Sequence, residues 1–277
     1  MEPVLDHAVV NVADGLDAAA AQYARLGFQI TPRGHHTLGS SNNLAVFEEN
    51  YLELLGYLPG REQSRPGMWR HPRGLLGLVF KGTEADSLYA DMRRRGVPVD
   101  EPLHFSRPVE LPEGARDARF SVVAVSDDAL QNGRTYFCCH HTPEVVWRPQ
   151  WLVHPNGAQT ITELVIASHE PARTAALYDQ MFGPGLLQAE DGGVGFRAGN
   201  ARVLVLDPKA VAARYADAAL VSADGSDRMV ALGFRTASLA QARSVVQAAK
   251  AETRPLSGGG FVVPHSFAAN VALAFRE

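Results

Sequence analysis

Apolar residues along this chain follow two periods in turn. Short runs of period two are followed by stretches in which apolar positions recur every three or four residues, and this happens four times. Period two puts successive side chains on opposite faces of a strand, and the longer spacing lines one face of a helix. The first unit is "LDHAVVNV" followed by "ADGLDAAAAQYARLG", in which Leu16, Ala19, Ala20 and Tyr23 share a face. Gly27 is placed to end that helix in a left-handed conformation. The second is "GLVFKG" then "TEADSLYADMRRRG", with Thr83 and Asp86 resembling a capping box, Leu88 and Met92 on one face, and Gly96 as terminator. The third is "ITELVIAS" then "HEPARTAALYDQMFG", with Pro171 suited to a first turn. The fourth is "MVALGFRT" then "ASLAQARSVVQAAK", with Ser238 as cap.

Strand-like segments follow every helix: "NLAVFE" and "YLELLGY", "FSVVAV" and "TYFCCHH", "VGFRAG" and "ARVLVLD", "GFVVP" and "NVALAF". The unit reads strand-helix-strand-strand-strand. Its helix covers one sheet face and leaves the other open, so two units paired would curve around a shared cavity. Four units make two pairs, and the polar, Pro- and Gly-bearing "RPQWLVHPNGAQ" (Arg148 to Gln159) is placed to join them.

Composition narrows the function classes. The net charge of -4 over 277 residues argues against a nucleic-acid surface, and "RRRG" at Arg93 suits a helix C-terminus. No apolar run approaches the roughly 20 residues of a membrane helix, and no signal-peptide pattern opens the chain, so a cytoplasmic location is expected. Cys138 and Cys139 are sequence neighbours without a CxxC motif, which disfavours a disulfide or a cysteine zinc cage. "GGVGF" and "SGGGF" lack the context of a phosphate loop, and no serine elbow occurs.

With these four units in view, "LDHAVVNVADGLDAAAAQYARLGF", "NYLELLGY" and "FCCHHTPEVVWRPQWLVHPNGA" resemble a bacterial glyoxalase-like subfamily of the vicinal oxygen chelate superfamily. The resemblance implies an α+β fold of four βαβββ modules forming two tandem domains. Residues 1–150 would hold the candidate site, and residues 157–277 would form a degenerate pair. It also implies ligand positions on the first and last strands of two paired modules. These fall at His7, at Glu53, at or near Gly77, and within "TYFCCHHT". Alternation puts Tyr136, Cys138 and His140 on one face of that last strand, and Phe137, Cys139 and His141 on the other. His140 is the favoured ligand, with His141 an alternative.

The set His7, Glu53 and His140 would suit a divalent ion (Fe, Mn, Ni or Zn) with open positions for substrate. Glu53 sits among leucines, where an unpartnered charge is expensive, and it could serve as a ligand or as a proton-transfer base. Each residue also has a plainer reading as a strand or packing residue. Gly77 offers no side chain, which leaves a metal-free binding cavity open. Asn43 in "GSSNN" is a candidate substrate contact or a turn residue. Trp147 and Arg148 could wall the cavity and clamp a carboxylate, or pack the two halves together. In the carboxy-terminal pair, Glu163 stands in the place of His7, and a position near Val203 in that of Glu53.

The expected activity is a metal-dependent lyase or isomerase step on a small oxygen-bearing substrate. A ring-cleaving extradiol dioxygenase and a non-catalytic drug- or metabolite-binding protein are the alternatives. The partner is a small molecule, with neither nucleic acid nor membrane, and module pairing between chains makes a homodimer admissible.

Overall fold

The computed structural model describes residues 1–112, 114–126 and 131–277. The first module comprises β1 (Leu5–Ala13), α1 (Leu16–Arg25), β2 (Gly34–His35), β3 (Ser41–Val46) and β4 (Tyr51–Gly56). After a short helix α2 (Pro66–Trp69) the second comprises β5 (Gly74–Gly82), α3 (Ala85–Arg94), β6 (Leu103–Val109), β7 (Arg116–Ala124) and β8 (Arg134–His140). The third runs through β9 (Ala158–Ala167), α4 (Pro171–Phe182), β10 (Gln188–Glu190), β11 (Gly193–Ala198) and β12 (Ala201–Leu206). Helix α5 (Pro208–Tyr215) precedes the fourth, made of β13 (Arg228–Thr236), α6 (Leu239–Ala248), β14 (Arg254–Pro255), β15 (Phe261–Val263) and β16 (Ala272–Arg276).

Each pair of modules builds one eight-stranded mixed sheet, in the orders β2-β3-β4-β1-β5-β8-β7-β6 and β10-β11-β12-β9-β13-β16-β15-β14. The first strands of paired modules meet antiparallel at the centre of each sheet. This is the α+β arrangement of two tandem domains, each a pair of βαβββ modules, that the resemblance implies.

One shared core includes residues from α1, α3, α4 and α6, among them Tyr23, Met92, Tyr178 and Val246, together with the helix-covered faces of both sheets. The opposite face of each sheet has its own apolar cluster. Capping explains the helix starts with one shift from expectation. Ser238 accepts from the Gln241 amide as its type predicts, whereas α3 is capped by Glu84 and not Thr83. Gly27 and Gly96 end their helices at φ +86° and +73°, where a Cβ would be strained. "HPNGA" forms a turn that also joins the halves. His154 accepts from the Gln29 amide (2.9 Å) and contacts the Val46 carbonyl through Nε2 (2.9 Å), while the Asn156 side chain donates to the Leu26 carbonyl (3.0 Å).

In the amino-terminal sheet, the Thr37 amide donates to the Ser106 carbonyl (3.0 Å) and the Ser106 amide to Thr37 Oγ1 (3.3 Å). The loop after β2 is thereby tied to the edge strand β6, and the concave face between them encloses a cavity of about 290 Å³. In the carboxy-terminal sheet, α5 lies on the equivalent face and fills it with Val211 and Tyr215. No described helix is long and apolar enough to cross a membrane.

Candidate active site in the amino-terminal cavity

The ladders define the site's internal symmetry. His7 pairs with Val79 and Val9 with Gly77 across the central β1–β5 ladder, so Gly77 is the twofold counterpart of His7. Glu53 lies beside Val9 on β4, and Tyr136 beside Val79 on β8, so the counterpart of Glu53 is Tyr136. The four family positions are therefore His7, Glu53, Gly77 and Tyr136. His7, Glu53 and Tyr136 line the cavity together with Cys138. His140, two strand positions further along than Cys138, is not among the lining residues.

A bulge explains where His140 goes. Leu5 pairs with Phe80 and His7 with Val79, which leaves Asp6 as an extra residue in β1. Asp6 is buried, and its Oδ2 contacts both His7 Nδ1 (2.6 Å) and His140 Nε2 (3.0 Å). Burial opposes its ionisation, but the His140 and His7 imidazoles outweigh that and hold the carboxyl well below the usual aspartate range. With Asp6 accepting at Nδ1, His7 presents Nε2 to the cavity, 3.8 Å from Glu53 Oε2 and 3.5 Å from the Tyr136 hydroxyl. Tyr51 stacks on the imidazole, with ring centroids 4.3 Å apart. Expected as a ligand alongside Glu53, His140 instead stands on the Nδ1 side of His7, behind Asp6. Asp6 escaped sequence reasoning because plain alternation points it away from His7; only the bulge brings it round.

Glu53 is held in place by Asn42. The Asn42 amide donates to Glu53 Oε1 (2.6 Å) and lies 3.2 Å from His36 Nε2. Burial pushes the His36 imidazole well below its ordinary pKa, helped by Arg107 and Arg65, so it stays neutral and can accept. Tyr51 and Tyr136 are pushed far up by burial, and by nearby carboxylates, so both remain protonated. Cys138 is likewise pushed up by burial.

The expected substrate contact Asn43 points the other way. Its amide donates to the Thr31 carbonyl (2.9 Å), and its Oδ1 accepts from Arg33 (2.7 Å), so it fixes the loop before β3. Asn42, one residue earlier, faces the cavity with Leu44. Trp147 packs edge-on against Tyr51 and His140 at 5.6 and 5.0 Å, beneath the site. Neither Trp147 nor Arg148 lines the cavity; Val146 does.

Two donor sets could hold a divalent ion. Donors of Asp6, His7 and His140 all lie within 4.8 Å of one another. However, 2.6 and 3.0 Å are hydrogen-bond lengths, whereas two ligands about 2.1 Å from a tetrahedral ion stand roughly 3.4 Å apart. On the cavity side, His7 Nε2, Glu53 and Tyr136 are spaced as ligands would be, at 3.8 and 3.5 Å, and the Asp6–His7 contact resembles the carboxylate support usual behind a metal-bound imidazole. The residues present fit an ion held by His7 and Glu53.

In the carboxy-terminal sheet, bulges at the corresponding places give exact counterparts. Glu163 replaces His7, Leu204 replaces Glu53, Ala231 replaces Gly77 and Ala274 replaces Tyr136. The expected counterpart near Val203 is thus its neighbour Leu204. Glu163 receives the Tyr215 hydroxyl (2.7 Å) and an Arg214 hydrogen bond, both from α5.

No curated protein matches this chain. Among solved structures, a hypothetical protein from Staphylococcus aureus is 11% identical with a TM-score of 0.68, covering 98% of both chains. A 4-hydroxymandelate synthase mutant from Streptomyces coelicolor is 13% identical (TM-score 0.59, 99% of this chain and 92% of that one). A fusion of a xylose isomerase-like TIM barrel with 4-hydroxyphenylpyruvate dioxygenase is 11% identical (TM-score 0.54), with 49% of its chain covered against 99% of this one. At such identities the likeness shows the vicinal oxygen chelate fold. Residues 5–182, well over half the chain, match the glyoxalase-like domain family. The chain therefore belongs to the glyoxalase-like domain family of the vicinal oxygen chelate superfamily.

Proposed function

We propose that the amino-terminal cavity catalyses proton transfer, of lyase or isomerase type, on a small oxygen-bearing substrate. The observation behind this is the buried Asp6–His7–Glu53 arrangement, in which His7 Nε2 and Glu53 Oε2 face the same open space 3.8 Å apart. A divalent ion held by His7 and Glu53 would polarise a substrate carbonyl. Glu53 Oε2, with Oε1 fixed by Asn42, is placed to take a proton from carbon next to that carbonyl and return it to a neighbouring atom. Tyr136, kept protonated by burial, can donate to a substrate oxygen. Leu44, Leu55, Met68 and Phe120 give the cavity apolar walls around it.

A second reading, a binding protein without catalysis, is favoured by Gly77. A Cβ there would meet the Val9 Cβ at 2.8 Å, so this position cannot supply a ligand without rearrangement. Elemental analysis of protein purified without chelator, followed by solvent-deuterium exchange into a panel of α-hydroxycarbonyl compounds, separates the two. The enzyme reading expects exchange supported by Mn, Fe, Ni or Zn and lost in Glu53→Gln. Ligand binding with no metal uptake and no exchange under any of the four ions would leave the binding protein.

A further inference from the structure

We propose that the ligand of this cavity is a small monocarboxylic acid whose carboxylate is received by Arg107 and Arg65. This rests on the preceding reading only in taking the cavity as the ligand site. Arg107 lies on the edge strand β6, where Leu103, His104 and Pro108 are exposed, yet it is itself only 4% exposed. Leu103, Phe105 and Arg107 alternate onto the cavity face, so its guanidinium is built into the wall. Gly34 makes room for it, since a Cβ at that position would meet Arg107 Nη1 at 2.8 Å and Cδ at 2.9 Å.

Among the described residues no carboxylate oxygen lies within 4 Å of either guanidinium. The contact found for Arg65 is the Ser40 hydroxyl (3.2 Å). Glu53 acts on both only through space, and its Oε1 is occupied by Asn42. A buried, unpaired guanidinium is costly, and burial accordingly pulls both arginines below their usual pKa. A ligand that brings its own anion removes that cost, and a guanidinium fork matches a carboxylate.

Charge and shape narrow the class. His36 is neutral, and the formal charges of Arg65, Arg107 and Arg134 balance those of Glu53, Asp100 and Glu101 over the whole lining. Asp100 and Glu101 are exposed, so positive charge is concentrated where Arg107 and Arg65 face the cavity, which a single carboxylate answers with less excess than a phosphate dianion. Leu44, Met68, Phe105 and Phe120 offer an apolar wall for the body of the acid. At about 290 Å³ the cavity is at the small end of ligand pockets.

The test is calorimetric titration and thermal shift with matched pairs: benzoate and benzamide, phenylacetate and phenylacetamide, hexanoate and hexanamide, with inorganic phosphate as a further probe. For at least one pair the acid should bind the wild type about tenfold or more tighter than its amide, and tighter than phosphate. Arg107→Met should erase that preference without lowering the ligand-free melting temperature, because it removes an unpaired buried charge. Arg65→Met should weaken it. Should Arg107→Met fail to fold, Arg107→Lys decides: a weakened preference supports the proposal and an unchanged one overturns it. No acid preference in any pair, tighter binding of phosphate, or full preference in both methionine variants also overturns it. Glu53→Gln should retain acid binding while losing proton exchange, so loss of exchange alone counts against the catalytic reading and not against this one.

Discussion

Asp6→Asn tests the hydrogen-bonded centre of the site. The substitution keeps side-chain volume, but one oxygen can no longer serve as an anionic acceptor for both His7 Nδ1 and His140 Nε2. The amide oxygen can still accept from both imidazoles, but both hydrogen bonds lose their charge assistance. A hydrogen bond to a charged group contributes about 1.5–3 kcal/mol, so weakening two of them together is expected to cost about 2–4 kcal/mol. At roughly 2–4 °C per kcal/mol, the melting temperature should fall by about 4–16 °C. The pH dependence follows from the depressed Asp6 pKa. A carboxyl with a folded pKa below its unfolded value, about 3.9, contributes stability that is fully present above that value. The contribution is lost as pH falls through the folded pKa. The gap between wild type and Asp6→Asn should therefore be wide at pH 7 and close only in strong acid. Calorimetric melts from pH 7 to pH 2, with nitrogen NMR of the His7 ring, make the measurement. The wild-type ring should carry its proton on Nδ1, and the variant should lose that preference. An unchanged melting temperature with an unchanged His7 tautomer would refute the orienting role of Asp6.

Tyr215→Phe should cost about 1.5–3 kcal/mol by chemical denaturation, through the lost hydrogen bond to Glu163, and leave ligand binding in the amino-terminal cavity unchanged. Asn42→Ala should destabilise by about 1–3 kcal/mol, by removing the donor to buried Glu53, and should alter cavity-ligand affinity. Asn43→Ala should alter stability alone, so equal ligand effects from the two in titrations would show the register of β3 to be misassigned. Burial raises the thiol pKa of Cys138, and of Cys139 to about 11. Iodoacetamide at pH 8 should therefore label neither in the native protein and both after unfolding, as read by mass spectrometry.

The fold was legible because each module repeats the same switch of hydrophobic period, and the glycines at 27 and 96 mark where helices stop. The strands missed were β2 and β14, two residues each, and the short or polar β6 and β10; such stretches carry too little alternation to read. In the site, His7 and Glu53 were readable because a histidine in the first strand and a glutamate among leucines in the last strand of one module fall at the ligand positions that the resemblance implies. The remaining assignments depended on register. Asn42 and Asn43 are adjacent and chemically identical, so only the β3–β4 ladder tells which one meets Glu53. Tyr136 and His140 share a face of β8, and only the β5–β8 pairing shows that Tyr136 is the counterpart of Glu53. Arg107 and Arg65 come from an edge strand and a connecting segment, where neither period nor motif points to a cavity.

The two halves of the chain form an internal control. Both build the same sheet with bulges in the same places, and both put a polar residue at the central position of the first strand. In the carboxy-terminal half that residue, Glu163, is satisfied by Tyr215 and Arg214 on α5, which fills the concave face. In the amino-terminal half, the segment after β4 lays only Met68 and Arg65 along the cavity, and His7 keeps Nε2 turned toward open space. A fold that can neutralise the central position with its own helix does so in one domain and leaves it open in the other. The open position also has an imidazole oriented by Asp6, a carboxylate held by Asn42 and a guanidinium with no carboxylate in contact. Structural necessity explains the first arrangement and not the second, because burying unpaired polar groups costs stability. What the second arrangement provides is preorganisation toward a ligand.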